Sequence, residues 1–125
     1  MDQRRQARKL PRLKLAMKSE GDYQSCASRL RALADPDRLR IVNSLLRGEK
    51  NVSELAQQLG MGMVKVSHHL GVLRSANVVQ KHKEGKFVIY ALHPEIAGAG
   101  KSLSGMKTLD LGCCRLDLAQ PKTLR

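Results

Sequence analysis

The stretch Asn51-Val-Ser-Glu-Leu-Ala-Gln-Gln-Leu-Gly-Met-Gly-Met-Val-Lys-Val-Ser-His-His-Leu70 decides the fold. Asn51 followed three residues later by Glu54 is a variant capping box, with Asn in place of Ser or Thr, so a helix opens at Val52. Val52, Leu55, Ala56 and Leu59 fall on its inward face. Gly60-Met61-Gly62 makes a tight turn. A second helix runs from Met63 to about Ala76, with Val66, Leu70 and Leu73 on one side. Two short helices joined by a three-residue glycine turn form a helix-turn-helix.

Upstream, Asp35-Pro36 starts a helix: Asp is a good N-cap, and Pro in the first turn lacks an N–H that would be unsatisfied there anyway. That helix runs to about Arg47, burying Leu39, Val42, Leu45 and Leu46, and stops at Gly48. Before it, Tyr23, Cys26, Leu30 and Leu33 recur at spacings of three and four and share one helix face. Downstream, Val78–His82 and Phe87–Ala91 read as strands of a hairpin, separated by Lys83-Glu84-Gly85-Lys86. Pro94 opens a further helical stretch carrying Ile96, Ala99, Leu103 and Met106. Gly98, Gly100 and Gly105 each cost it about 1 kcal/mol relative to Ala, so it needs a packing partner. Leu109-Asp110-Leu111 and Leu116-Asp117-Leu118 alternate with period two around Gly112-Cys113-Cys114 and are predicted to be extended. The predicted class is mainly α with a small β-hairpin, a winged helix-turn-helix of order α-α-(β)-α-α-β-β-α. Residues 1–20 are predicted to form a basic disordered arm, 21–108 the winged-helix domain, and 109–125 a cysteine-containing tail.

Composition narrows the function. With 125 residues, one Phe, two Tyr and no Trp, the chain makes one domain with an aliphatic core. The 23 Lys+Arg against 11 Asp+Glu give a net charge of +12, which points to a polyanionic partner. No run approaches the roughly 18 apolar residues that span a bilayer, and no apolar segment of a secretory signal follows the basic start. The stretch Met1–Lys18 carries Arg4, Arg5, Arg8, Lys9, Arg12, Lys14 and Lys18 against Asp2 alone. Such a segment cannot offset its ordering entropy, and it is suited to lie along phosphates. The three cysteines are odd in number, with two adjacent, and form no disulfide framework. Reduced thiols in a cytoplasmic protein are predicted.

A helix-turn-helix followed by a basic hairpin is a device for holding duplex DNA: the second helix offers side chains to base edges while the wing reaches phosphate. Met63, Val64, Lys65, Ser67 and His68 are the candidate contacts on the helix. Lys83 and Lys86, with Lys81 and His82 nearby, are those on the wing. A solvated face is the plain alternative for His68 and for the wing lysines. His69 points back toward the turn and reads as a structural histidine.

The sequence resembles the ArsR family of bacterial repressors. The resemblance is carried by Leu30-Arg-Ala-Leu-Ala-Asp-Pro-Asp-Arg-Leu-Arg-Ile, by Val52-Ser-Glu-Leu-Ala, by Val66-Ser-His-His-Leu-Gly-Val-Leu-Arg-Ser-Ala-Asn-Val-Val and by Tyr90-Ala-Leu. It implies a homodimer joined through its first and last helices, a palindromic double-stranded operator, and release of DNA when an inducer binds. Ser67 and His68 match the family's DNA-contacting positions. Met63 and Val64 stand where polar residues are usual, so thymine methyls become their natural partners. Gly62 replaces the usual Ser or Thr cap.

Two familiar metal sites of the family are missing. Glu49-Lys50-Asn51-Val52-Ser53 lacks the cysteine pair before the turn, and Lys101, Ser102, Lys107 and Thr108 replace Asp and His on the last helix. Thiol chemistry remains. Because the first and last helices pack together across the family's dimer, Cys26, Cys113 and Cys114 are expected to converge there. Soft thiolates suit trivalent arsenic or antimony. A redox or persulfide switch between Cys26 and the pair is the alternative, and simple packing of Cys26 is another. No cofactor is required for folding.

Three function classes stand at this point. They are a repressor released by a thiol-reactive inducer, a winged-helix DNA binder with no inducer, and a basic RNA-associated protein. The scarcity of stacking aromatics weighs against the last. An enzyme is excluded on motif grounds: there is no nucleophile motif, paired-carboxylate arrangement or phosphate-cradling loop.

Overall fold

A computed structural model of the chain describes residues 20–97 and 107–119. Helix α1 spans Glu20–Leu33 and buries Cys26, Arg29, Ala32 and Leu33. Tyr23 and Leu30, predicted to share that face, are 56% and 39% exposed. At about 100° per residue both lie on the opposite flank of Cys26 from Arg29 and Ala32, so the core takes one side of the stripe only.

Helix α2, Pro36–Leu45, is capped as expected. The Asp35 carboxylate accepts from the N–H of Asp37 at 2.8 Å and of Arg38 at 3.1 Å, in extended backbone conformation. It buries Ile41, Val42, Ser44 and Leu45. The expectation for Leu39 is corrected: Leu39 is exposed and Ile41 takes its place in the core. Leu46 is the C-cap and only half-buried.

Strand β1, Lys50–Asn51, leads straight into α3, Val52–Leu59. The capping box is complete: Glu54 N–H donates to Asn51 Oδ1 at 2.8 Å and Asn51 N–H to Glu54 Oε1 at 2.9 Å. Gly60 ends α3 in the left-handed region, φ 65°, where a side chain would clash with its own carbonyl. Helix α4, Met63–Ser75, starts at Gly62 without a side-chain cap and buries Val66, His69, Leu70 and Leu73.

Strands β2, Val79–Glu84, and β3, Phe87–Leu92, make the wing. The strands run further than predicted. Lys83 pairs with Val88 and Glu84 with Phe87, so only Gly85 and Lys86 form the turn. The β1 strand adds antiparallel to β3, giving the sheet order β1-β3-β2.

After α5, Pro94–Ala97, the predicted helical positions Ala99, Leu103 and Met106 lie outside the described residues, as does the basic arm. The segment predicted to be extended is a second hairpin, β4 (Lys107–Asp110) with β5 (Arg115–Leu118). The division placed between residues 108 and 109 falls within β4, and Leu109 and Leu111 are fully buried in the common core. That core is aliphatic: Phe87 is 53% exposed and Tyr90 packs only against its edge. No described helix is long and apolar enough to cross a membrane.

Candidate nucleic-acid interface and sulfur cluster

Helix α4 turns Val66, His69, Leu70 and Leu73 inward, and the same geometry leaves Met63, Val64, Ser67 and His68 outside. Val64 is 86% exposed, which for a bare isopropyl group on a helix surface is conspicuous. Lys65 is exposed but already engaged: its Nζ lies 3.1 Å from Asp37 Oδ2. The ammonium of Lys65, followed by the guanidinium of Arg40, holds the Asp37 carboxyl below the usual carboxylate range against the opposing pull of desolvation. The backbone N–H of Arg38 is foremost among the groups that do the same for Asp35.

His69 is buried between the side chains of Arg38 and Asp37. Nδ1 is 3.2 Å from Arg38 Nη1 and Nε2 is 3.8 Å from Asp37 Oδ2. Its reading as a structural histidine agrees with this. The N-terminal turn of α2 therefore sets the seating of α4 through Asp37 and Arg38. Sequence reasoning named neither, since side chains on the first turn of a helix announce their cap and not their long-range partner.

On the wing, Lys83 and Lys86 are exposed. His82, grouped with them from sequence, faces differently: its Nε2 is 3.3 Å from Glu49 Oε1 and 3.5 Å from Glu84 Oε2. Alternation along β2 puts Lys83 on the opposite face from His82 and Glu84.

The three cysteines come together, but not as predicted. The expected route was across a dimer, whereas here they meet within one chain. The turn of the β4–β5 hairpin lies against α1 and brings Cys113 and Cys114 to Cys26. Nor are all three reduced thiols. Cys26 and Cys113 form a disulfide with a Cα–Cα distance of 5.8 Å, and Cys114 is free with its Sγ 3.9 Å from Cys26 Sγ. All three sulfurs lie within 4.8 Å of one another.

Gly112, at φ 101°, turns the chain so that adjacent cysteines both reach α1, a conformation L side chains avoid. Leu111 N–H donates to Cys114 O at 2.9 Å and Gly112 N–H to Asp110 Oδ1 at 3.0 Å, closing the turn. Arg29, one helical turn beyond Cys26, clamps the hairpin. Its Nη1 donates to Leu111 O at 3.4 Å, its Nη2 pairs with Glu95 at 3.2 Å, and its buried Nε has no partner among the described residues.

Comparison with known proteins places this arrangement. The family described as "Bacterial regulatory protein, arsR family" matches residues 35–81, from the cap of α2 into the wing. The transcriptional repressor SdpR of Bacillus subtilis is 30% identical over 66 residues, 53% of this chain and 73% of that protein. The probable mercury resistance operon repressor of Streptomyces lividans is 33% identical over 88 residues, 67% of this chain and 70% of that protein. The chain spans between about a half and three quarters of the length of the curated relatives it matches. Among solved structures, the homodimeric winged helix-turn-helix DNA-binding domain Mb0332 of Mycobacterium bovis superimposes with a TM-score of 0.57 at 30% identity, covering 62% of this chain and 75% of that one. With its winged helix-turn-helix and these relatives, the chain belongs to the arsR family of bacterial regulatory proteins.

Proposed function

We propose that the chain is a cytoplasmic, DNA-binding transcriptional repressor, which acts as a homodimer on a palindromic operator and leaves it when a thiol-reactive inducer engages Cys26, Cys113 and Cys114. The observation that carries the reading is the pairing of two features on one small body. An outward helix face of Met63, Val64, Ser67 and His68 stands beside a lysine-bearing wing, and three sulfurs cluster within 4.8 Å. In this reading Ser67 and His68 meet base edges, and Val64 and Met63 meet thymine methyls. Lys83 and Lys86 meet phosphate, with Lys65 contributing its charge. Exposed Tyr23 and Leu30 on α1 supply apolar area for a second copy, in line with the homodimeric Mb0332 domain.

In the reduced state the three sulfurs suit arsenite or antimonite: arsenite condenses with three thiols to form three As–S bonds and releases three waters. That SdpR and the mercury-operon protein are named as repressors supports the repressor reading, and the latter's name supports a thiophilic inducer. The Cys26–Cys113 disulfide favours a second reading of the same site. Disulfides in cytoplasmic proteins are usually transient and redox-sensing. Here two thiols give up two electrons and two protons to hydrogen peroxide, which leaves as two waters, or to the S–S bond of a polysulfide, which leaves as hydrogen sulfide and a shorter sulfide chain.

A release assay on duplex DNA tests both, with arsenite, antimonite, zinc, cadmium, peroxide and polysulfide as inducers. Release by the metalloids from reduced protein supports the first reading, and release by oxidants alone supports the second. An unchanged response in the C113S/C114S double variant removes the sensing site. Failure to retain any duplex at low ionic strength removes the DNA-binding reading itself.

A further inference from the structure

The wing has two faces with different chemistry. Asn51 and His82 both sit opposite Ile89 in the register, so alternation places His82 and Glu84 on one face of the three-stranded sheet, and the carboxylate of Glu49, just before β1, reaches that face at His82. Val79 and Leu92, both buried, lie on the other. On the outward face Glu49 and Glu84 direct their carboxylates at the same imidazole nitrogen, at 3.3 and 3.5 Å. One ligand atom from each of the three lies within 4.8 Å of the other two. Among the described residues, the ion pairs of both carboxylates go to His82 alone.

We propose that Glu49, His82 and Glu84 form a binding site for a borderline divalent first-row ion such as Zn2+, Co2+ or Ni2+, separate from the sulfur cluster. One imidazole nitrogen with two carboxylate oxygens is a donor set these ions accept, with water completing the shell. The nitrogen disfavours the hard, all-oxygen ions. All three side chains are exposed, so the ion enters without prior unfolding.

Position gives the site a consequence. Glu49 stands just before the cap of α3, at the entry to the helix-turn-helix, whereas His82 and Glu84 belong to the wing. A bound ion ties the two DNA-facing units together and offsets two negative charges beside the strand that carries Lys83. Its effect on DNA affinity is therefore opposite in sign to that of a thiol-reactive inducer. This consequence rests on the DNA-binding reading, but occupancy of the site does not.

The test uses the full chain with its disulfide intact and Cys114 alkylated, titrated with Co2+ and followed by two-dimensional amide NMR. Paramagnetic shifts that saturate and centre on Glu49, His82 and Glu84 are expected, with apparent affinity at least tenfold weaker in His82→Ala and in the Glu49→Gln/Glu84→Gln double variant. Shifts that scatter over surface carboxylates, fail to saturate, or survive both variants overturn the site. A parallel titration of duplex binding with Zn2+ is expected to raise affinity at least threefold in the unsubstituted chain and to leave His82→Ala unchanged. Saturable Co2+ binding without that rise overturns the coupling. If no duplex is bound at any metal concentration, the DNA-binding reading fails while the NMR result stands.

Discussion

The described residues contain two antiparallel hairpins that share a secondary structure and differ in almost everything else. The wing, β2–β3, buries Val79 and Leu92 at its root, and every residue of β2 after Val79 is exposed. Even Phe87, the sole phenylalanine, is left largely in solvent at its tip. The β4–β5 hairpin is shorter, yet it inserts Leu109 and Leu111 completely into the core and is held to α1 by the Cys26–Cys113 disulfide and by Arg29. Strand pairing alone stabilises a two-stranded ribbon only marginally, so what each hairpin becomes depends on the third element it meets. The wing meets a core at one end only and is free to present charge along the rest. The second hairpin meets α1 through its turn, at Leu111, Cys113 and Cys114, and serves as an anchor.

That contrast breaks most visibly in the core. Leu109→Ala is expected to destabilise the fold by about 2–5 kcal/mol, the range for emptying a fully buried leucine site. Phe87→Ala at the wing tip is expected to change stability by less than about 0.5 kcal/mol. Urea unfolding of the two variants measures both, and equal losses would mean the wing is as integral as the anchor.

Reduction of the Cys26–Cys113 bond comes next. It closes a loop of 87 residues in sequence separation, and its loss is expected to cost about 2–4 kcal/mol, read as a lower urea midpoint in dithiothreitol than without it.

The wing is sharpened by the Lys83→Ala/Lys86→Ala variant. Stability is expected to stay within about 0.5 kcal/mol. If both ammoniums meet phosphate, the slope of log K against log salt loses about 0.9 per contact, roughly 1.8 in all. An unchanged slope would make both lysines ordinary surface charge.

The smallest effect lies outside both hairpins. Asp35 and Asp37 have folded-state pKa values below the reference of 3.8. Their contribution is therefore fully present above pH ~4 and is lost as pH falls through the lowered folded values. Asp35→Asn/Asp37→Asn keeps the cap but not the charge, and its melting temperature is expected to fall less steeply below pH 4 than that of the unsubstituted chain.

Much of the architecture was legible because it is written locally. The Asn51–Glu54 box, the Asp35-Pro36 start, the glycine turn and the period-two strands are each decided within a few residues, and each appears where the spacing puts it. The outward placement of Val64, Ser67 and His68 follows from the same short-range periodicity. The misreadings share a different origin. Tyr23, Leu30 and Leu39 are apolar at helical spacing, yet which part of a wide apolar arc is buried depends on where the neighbouring elements lie. Lys65 looked like a free cation until Asp37, far upstream, arrived beside it, and His82 looked like one of the wing's cations until Glu49 reached it.

The amino-acid order thus determined the elements, their boundaries to within a few residues, and the polyelectrolyte character of the chain, since caps, turns and net charge depend on near neighbours or on simple counting. Only tertiary structure decided that Cys26, Cys113 and Cys114 meet inside one chain, that Arg29 clamps the second hairpin, and that Glu49, His82 and Glu84 share a face. Those associations join residues tens of positions apart. They exist because packing of the aliphatic core brings the backbones together, and no local pattern carries that information.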